Sequence, residues 1–368
     1  MNETTCNIAV IRGDGIGVDV TDATLAVIEA AKARAGGFRL ACTDLQAGAG
    51  YFQETGRDMA PGAEESCDGA DAILLGAIGL PAIRHTDGTE IAPHLRLRER
   101  YQLYAGVRPV KAYPNAPRRL SDPRADGIDL IILRESTEGL FYTAAASGRD
   151  ILANDQEVQD ILRITRPTSE RLFDFAFRLA EKRKSKGGKG MVTCVDKANV
   201  FRSMAFFRKI FDERKGAFPG VDVSYNYVDA QALDLIRRPW DFDVLVMENM
   251  FGDILSDLAG GLVGGMGMAS CAEVGDEHAL FQPAHGSAPD IMGQDKANPL
   301  AAILSGALML DYLADRMGGH DGLADAATMI EDAVQRGFEA NRLRPMEFGG
   351  DMGTEAVTRE VIALIEGN

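Results

Sequence analysis

The 368 residues carry a formal charge of -16, which repels phosphate backbones and anionic bilayers and argues against nucleic acid or a membrane surface as partner. At this length, with 46% hydrophobic residues, the chain suits two domains with real cores. No apolar run of about 18 residues and no signal-like N-terminus appears, so it reads as a cytoplasmic protein. Its cysteines, Cys6, Cys42, Cys67, Cys194 and Cys271, are scattered without a C-x-x-C pair, and imply free thiols rather than a zinc or redox centre. In chain order, a strand predicted over 7–12 precedes a helix over 18–34. Strands follow at 72–77, 106–112 and 129–134, then a helix at 168–184. The basic run EKRKSKGGKG at 181–190 reads as a solvated helix end and turn before a strand at 190–196. A helix at 201–213, strands at 221–228 and 243–247, and helices at 252–260, 299–313, 322–336 and 354–366 complete the series. Short apolar runs alternating with helix-period segments specify an α/β architecture. The Pro- and charge-rich loop after 112 marks a domain crossing. The Gly/Met-rich stretch 259–275 marks the return.

ENMFGDILSDLAGG at 248–261 sets Asp253 and Asp257 four apart at the start of a probable helix, on one face. Two such carboxylates can hold a hard cation such as Mg2+ or Mn2+; taken alone, a pair favoured by the helix dipole explains them as well. Asp229 and Lys197 each follow a strand. There an acid can ligate or merely cap a helix, and a lysine can relay a proton or merely face solvent. Arg108 and Arg134 close apolar strands, and Arg98 lies in an arginine-rich helix; together they could clasp a substrate with two carboxylates. The nucleotide signature G-x-G-x-x-G is missing, and GDGIG at 13–17 is a different glycine pattern. In FQPAHGSAPDIMGQDKANP at 281–299, Asp290 could accept hydrogen bonds from ribose hydroxyls while repelling a 2′-phosphate. By itself the segment is also an ordinary surface loop.

These motifs, in this order, resemble the β-decarboxylating dehydrogenases of isopropylmalate, isocitrate, homoisocitrate, tartrate and D-malate. The resemblance rests on RGDGIGVDV (12–20), LLGAIG (74–79), LRERYQLYAGVRPV (97–110), LRESTEG (133–139), VDKANV (195–200), YVDAQA (227–232), FGDILSD (251–257) and HGSAPDIMGQDKANP (285–299). It implies an isopropylmalate dehydrogenase-like fold of two α/β domains with a central cleft: 1–105 with 266–368 for the cofactor, and 106–265 for substrate, metal and a dimer-forming arm. It implies substrate contacts by Arg98, Arg108 and Arg134, metal ligation by Asp229, Asp253 and Asp257, and catalysis by Lys197 and Asp229. Lys197 and Asp229 would enter from the neighbouring subunit of a homodimer. His285, Gly286, Ser287, Ala288, Asp290 and Asn298 match the family's NAD site, and Asp290 implies NAD rather than NADP.

The expected activity is NAD-dependent, metal-assisted oxidative decarboxylation of a 3-substituted malate of the 3-isopropylmalate kind. The alternatives are a tartrate, D-malate, homoisocitrate or isocitrate dehydrogenase, a catalytically silent regulatory subunit, and a nucleotide-binding module without turnover. The substrate is thus a small dicarboxylate or tricarboxylate. HTDGTEIAPHL at 85–95 departs from the family patterns, leaving His94 either as a contact to a polar substituent or as a solvated helix-start residue. The family tyrosine seven residues after Arg134 is replaced by Phe141, with Tyr142 next. Since a phenyl ring has no proton to give, Tyr142 is the expected acid, on a segment read as extended.

Overall fold

A computed structural model describes residues 4–145 and 152–367. Ten strands form one sheet: β1 (Thr4–Gly13), β2 (Phe38–Asp44), β3 (Ala72–Ala77), β4 (Ala105–Lys111), β5 (Asp129–Glu135), β6 (Met191–Asp196), β7 (Asp222–Tyr227), β8 (Val244–Met247), β9 (Ser270–Val274) and β10 (Ala279–Pro283). Their order is β2-β1-β3-β10-β9-β4-β5-β8-β6-β7. Pairing is parallel on either flank and antiparallel at the centre, where β9 runs against both β10 and β4, and β4 against β5. β3 and β5 read as near-continuous apolar runs because helices cover both faces, and their residues are almost all buried.

Around the first half of the sheet pack the helices Ile16–Ala35, Leu300–Arg316, Asp321–Glu339 and Thr354–Glu366. Around the second half, Arg166–Ser185 and Arg202–Arg214 interlock through Phe173, Phe177, Phe207 and Phe211. The Phe173 and Phe207 rings lie 4.6 Å apart; burying each side chain contributes about 1.5–3 kcal/mol. No helix among the described residues is long and apolar enough to cross a membrane. Cys42 is exposed, the other four cysteines are buried, and all five are free.

The structure corrects three sequence expectations. β2, β9 and β10 add three strands to those the sequence predicts. β2 is an edge strand of mixed polarity, and SCAEV and ALFQP are five-residue runs interrupted by Cys, Glu or Pro. The helix expected at 252–260 spans Asn249–Leu262, so Asp253 and Asp257 sit beyond its first turn. Dipole stabilisation fades past that turn, and it no longer accounts for the pair. Phe141–Ala145 is a short helix rather than an extended segment.

Candidate active site

Sheet register assembles the site. Met247, Arg134, Gly106, Glu273 and Leu280 form one row across β8, β5, β4, β9 and β10. Neighbours in such a row point to the same face, as do residues two apart along a strand, so Arg134, Glu273, Arg108 and Cys271 share a face. The helix Pro93–Arg100 lays Arg98 beside them, with His94 one turn earlier. All three arginines are buried, and so is Glu273. One carboxylate oxygen of Glu273 accepts from Arg108 Nη2 at 2.9 Å and forms an ion pair with Arg98 Nη2 at 3.0 Å. Burial opposes the charge on Glu273, but Arg98, Arg108 and Arg134 outweigh it and hold its carboxyl below the usual value.

Arg134 is fixed differently. Its Nε and Nη2 donate to Asn249 Oδ1 at 2.9 and 2.7 Å, and Nη1 pairs with Asp253. Asn249 is anchored in turn by donating to the Glu138 carbonyl at 2.9 Å. The helix approaches this closely because Gly252 has no side chain; a Cβ there would stand 2.6 Å from Arg134 Cβ. Burial, then Arg98, lowers the Arg134 pKa to about 10. Asp257, one turn beyond Asp253, has its carboxyl raised by burial and by repulsion from Asp253. Two hard oxygen donors that repel each other are a set a divalent cation would suit.

Asp229 does not join them. It pairs with Lys197 at the far ends of β7 and β6, and this partner lowers its pKa. Among the described residues no group of three or more His, Cys, Asp or Glu could hold a metal. Apolar side chains lie exposed along the same segments: Val200, Phe201, Leu233 and Ile236, with Ile254 on the helix of Asp253. His94 is largely buried, its Nδ1 without a partner, and burial followed by repulsion from Arg98 pushes its pKa down to about 3. Phe141 stacks on Arg134, its ring centroid 4.9 Å from Cζ, whereas the Tyr142 ring lies 4.4 Å from Arg163 Cζ. Of the two rings, the one without a proton therefore faces the arginines.

Three loops meet at the nucleotide candidates. The Asp14 carboxylate accepts from the backbone N–H groups of Ala49, Gly50 and Gly79, each at 2.8 Å. Ile16 N donates to the Ser287 carbonyl at 2.7 Å, and Ser287 Oγ donates to the Gly79 carbonyl. Around this bound Ser287, Gly286 is open on its side-chain face, Ala288 takes a left-handed φ of 33°, and Asp290 is exposed. His285 Nε2 is buried without a partner, and burial lowers the ring's pKa. An unpartnered buried nitrogen beside an open loop suits a nucleotide. Asn298 is buried, donating to Glu347 at 2.9 Å and accepting from Leu300 N at 3.2 Å.

Glu273, Asn249, Asp14 and Glu347 escaped the sequence reading. A charged residue inside the apolar run SCAEV was the available signal for Glu273; Asn249 and Asp14 had none beyond their motifs, and Glu347 lies outside every motif. A cavity of about 570 Å3 is lined by Val107, Pro109, Ile131, Ala272 and Val274, among others. These alternate with the site residues, so the cavity lies on the opposite face of the sheet.

Residues 7–365 match the family model described as isocitrate/isopropylmalate dehydrogenase. The chain belongs to that family. It is 39% identical over 355 residues to a 3-isopropylmalate/3-methylmalate dehydrogenase of Methanocaldococcus jannaschii, covering 96% of this chain and 97% of the relative. It is 36% identical to a homoisocitrate dehydrogenase of the same organism, covering 97% of each. An isocitrate dehydrogenase structure from Methylococcus capsulatus superposes with a TM-score of 0.82 at 31% identity, over 98% of this chain and 99% of that one. The family and these relatives support β-decarboxylating dehydrogenase chemistry, and an α/β fold of this type is the one observed. The relatives' names span dicarboxylate and tricarboxylate substrates, so they leave the choice to the pocket.

Proposed function

We propose that this chain oxidises a 3-substituted malate with NAD+ and releases CO2, in sites shared between two copies in the cytoplasm. The observation that carries the reading is the convergence of Arg98, Arg108 and Arg134 with Asp253 and Asp257 on one face of the sheet. Guanidiniums orient the substrate carboxylates, and removing water from such a face strengthens that grip. Asp253 and Asp257, with Asp229 of a second copy, would hold a Mg2+ or Mn2+ ion, which supplies Lewis acidity to the substrate hydroxyl and carboxylate. NAD+, where bound, would supply the hydride acceptor for C2, and Lys197 of the second copy would take the hydroxyl proton. The exposed Val200, Phe201, Leu233, Ile236 and Ile254 around this pair support a homodimer that covers them. Residues 1–105 with 266–368 would close against 106–265 over the bound molecules.

His285, Gly286, Ser287, Ala288, Asp290 and Asn298 would line the NAD+ site, Asp290 taking the ribose hydroxyls and repelling the 2′-phosphate of NADP+. His94, held neutral, would contact the variable substituent. After loss of CO2 the carbon needs a proton; Phe141 has none, so Tyr142 would have to swing from Arg163, or water would supply it. Full retention of the charged residues argues against a silent subunit.

The test is NADH formation from a panel of substituted malates, with Mn2+ or after chelation. Turnover should require the metal and favour NAD+ over NADP+ by tenfold or more. Full activity after chelation, or equal efficiency with both cofactors, would overturn the assignment of the aspartates or of Asp290.

A further inference from the structure

Glu273 has no task in the proposed chemistry, yet it sits at the heart of the arginine face. It is fully buried, and one of its oxygens is shared by Arg98 and Arg108 at 3.0 and 2.9 Å. Its other oxygen lies towards Gly106, where a Cβ would come within 3.0 Å of it. A glycine at this point of β4 makes room for the carboxylate.

A simple counter-ion would be expected to saturate the groups it neutralises, because buried guanidiniums left short of partners are costly. Here saturation is incomplete. The Nε atoms of both Arg98 and Arg108 are buried without a hydrogen-bond partner, so each arginine keeps donor capacity for a further acceptor. Two guanidinium charges share one carboxylate, leaving a single net positive charge. The neighbouring Arg134 is countered by its own ion pair with Asp253 and held by Asn249, and His94 stays neutral because burial depresses its pKa.

We propose that Glu273 is a specificity-determining residue that matches the Arg98–Arg108 pair to one substrate carboxylate, so that the pocket takes a 2-hydroxy dicarboxylate with an uncharged 3-substituent and rejects tricarboxylates. This rests on the proposed function and narrows its substrate class. A third carboxylate brought to the pair would meet the buried Glu273 charge across a poorly screened gap, a like-charge contact worth tenfold or more in affinity.

The test is calorimetric binding of 3-isopropylmalate and of isocitrate to the full-length protein with Mg2+ and no NAD+, so that nothing turns over. The parent should bind the alkyl malate at least tenfold more tightly. Glu273→Gln, which keeps size and removes charge, should shrink that ratio about tenfold, while Glu273→Asp should retain it. Parent protein that binds isocitrate equally or better overturns the inference, as does an unchanged ratio in folded Glu273→Gln. Should thermal melting show Glu273→Gln to be unfolded, the parent ratio and its retention in Glu273→Asp decide. Selective binding without NADH formation on adding NAD+ would refute the proposed function alone; binding of neither compound would refute both.

Discussion

His94 illustrates how position rewrites a residue's chemistry. In water its imidazole titrates near 6.5; under Pro93–Arg100 its pKa falls to about 3, through burial and then Arg98. The native pKa lies below the unfolded one, so between those values the unfolded chain takes a proton that the native chain refuses. The full stability is present above about pH 6.5 and is lost as pH falls toward 3, at about 1.4 kcal/mol per pH unit for one proton. Urea unfolding at pH 7.5, 6.0 and 5.0 should show His94→Gln losing about 2 kcal/mol less than the parent by pH 5.0. Equal losses would mean that His94 is protonated in the native state. At this scale the sequence was informative wherever a charge interrupted an apolar run, as at Arg108 and Arg134. Glu273 interrupts one equally, but its strand went unrecognised, so the charge carried no message. Phe141 and Tyr142 were visible as a departure, whereas which ring faces Arg134 depends on a helical turn that the sequence did not declare.

Among the elements, the loop 13–17 shows why a weak motif can matter structurally. Gly15 has a φ of 56°, and a Cβ on it would stand 2.0 Å from the Ser287 carbonyl oxygen, the same oxygen that accepts from Ile16 N. The glycine lets the first strand-to-helix turn dock on the 285–290 loop. Gly15→Ala should therefore cost about 2 kcal/mol or more and weaken NADH binding, read by denaturant unfolding and by fluorescence titration. Gly36→Ala has a similar φ of 70° with nothing within 4 Å, so it should cost only about 1 kcal/mol and leave NADH affinity intact. Equal effects of the two would remove the docking argument. Long periodic helices and strands with continuous apolar runs were legible, whereas the mixed-polarity edge strand β2 was not. The antiparallel β9 and β10 were not, because five residues with Pro, Cys and Glu show neither alternation nor β-branched enrichment.

The whole molecule leaves its chemistry divided. One continuous sheet gathers three arginines, Glu273 and two aspartates at its centre, while Lys197 and Asp229 pair elsewhere amid exposed apolar side chains. Sequence motifs named both groups, but adjacency along a chain says nothing of which copy completes which site. If two copies complete each other, Arg134→Ala disables the sites its own chain builds and Lys197→Ala the sites its neighbour builds. A mixed dimer then has one site carrying both lesions and one carrying neither. The decisive measurement is NADH and CO2 formed together from a 3-alkyl malate with NAD+ and Mn2+ by purified mixed dimers. The shared-site dehydrogenase should regain about half the parent rate per dimer, with NADH and CO2 in equal amounts, where each variant alone is inactive. Verified mixed dimers that form neither product, beside a parent that forms both, would contradict it.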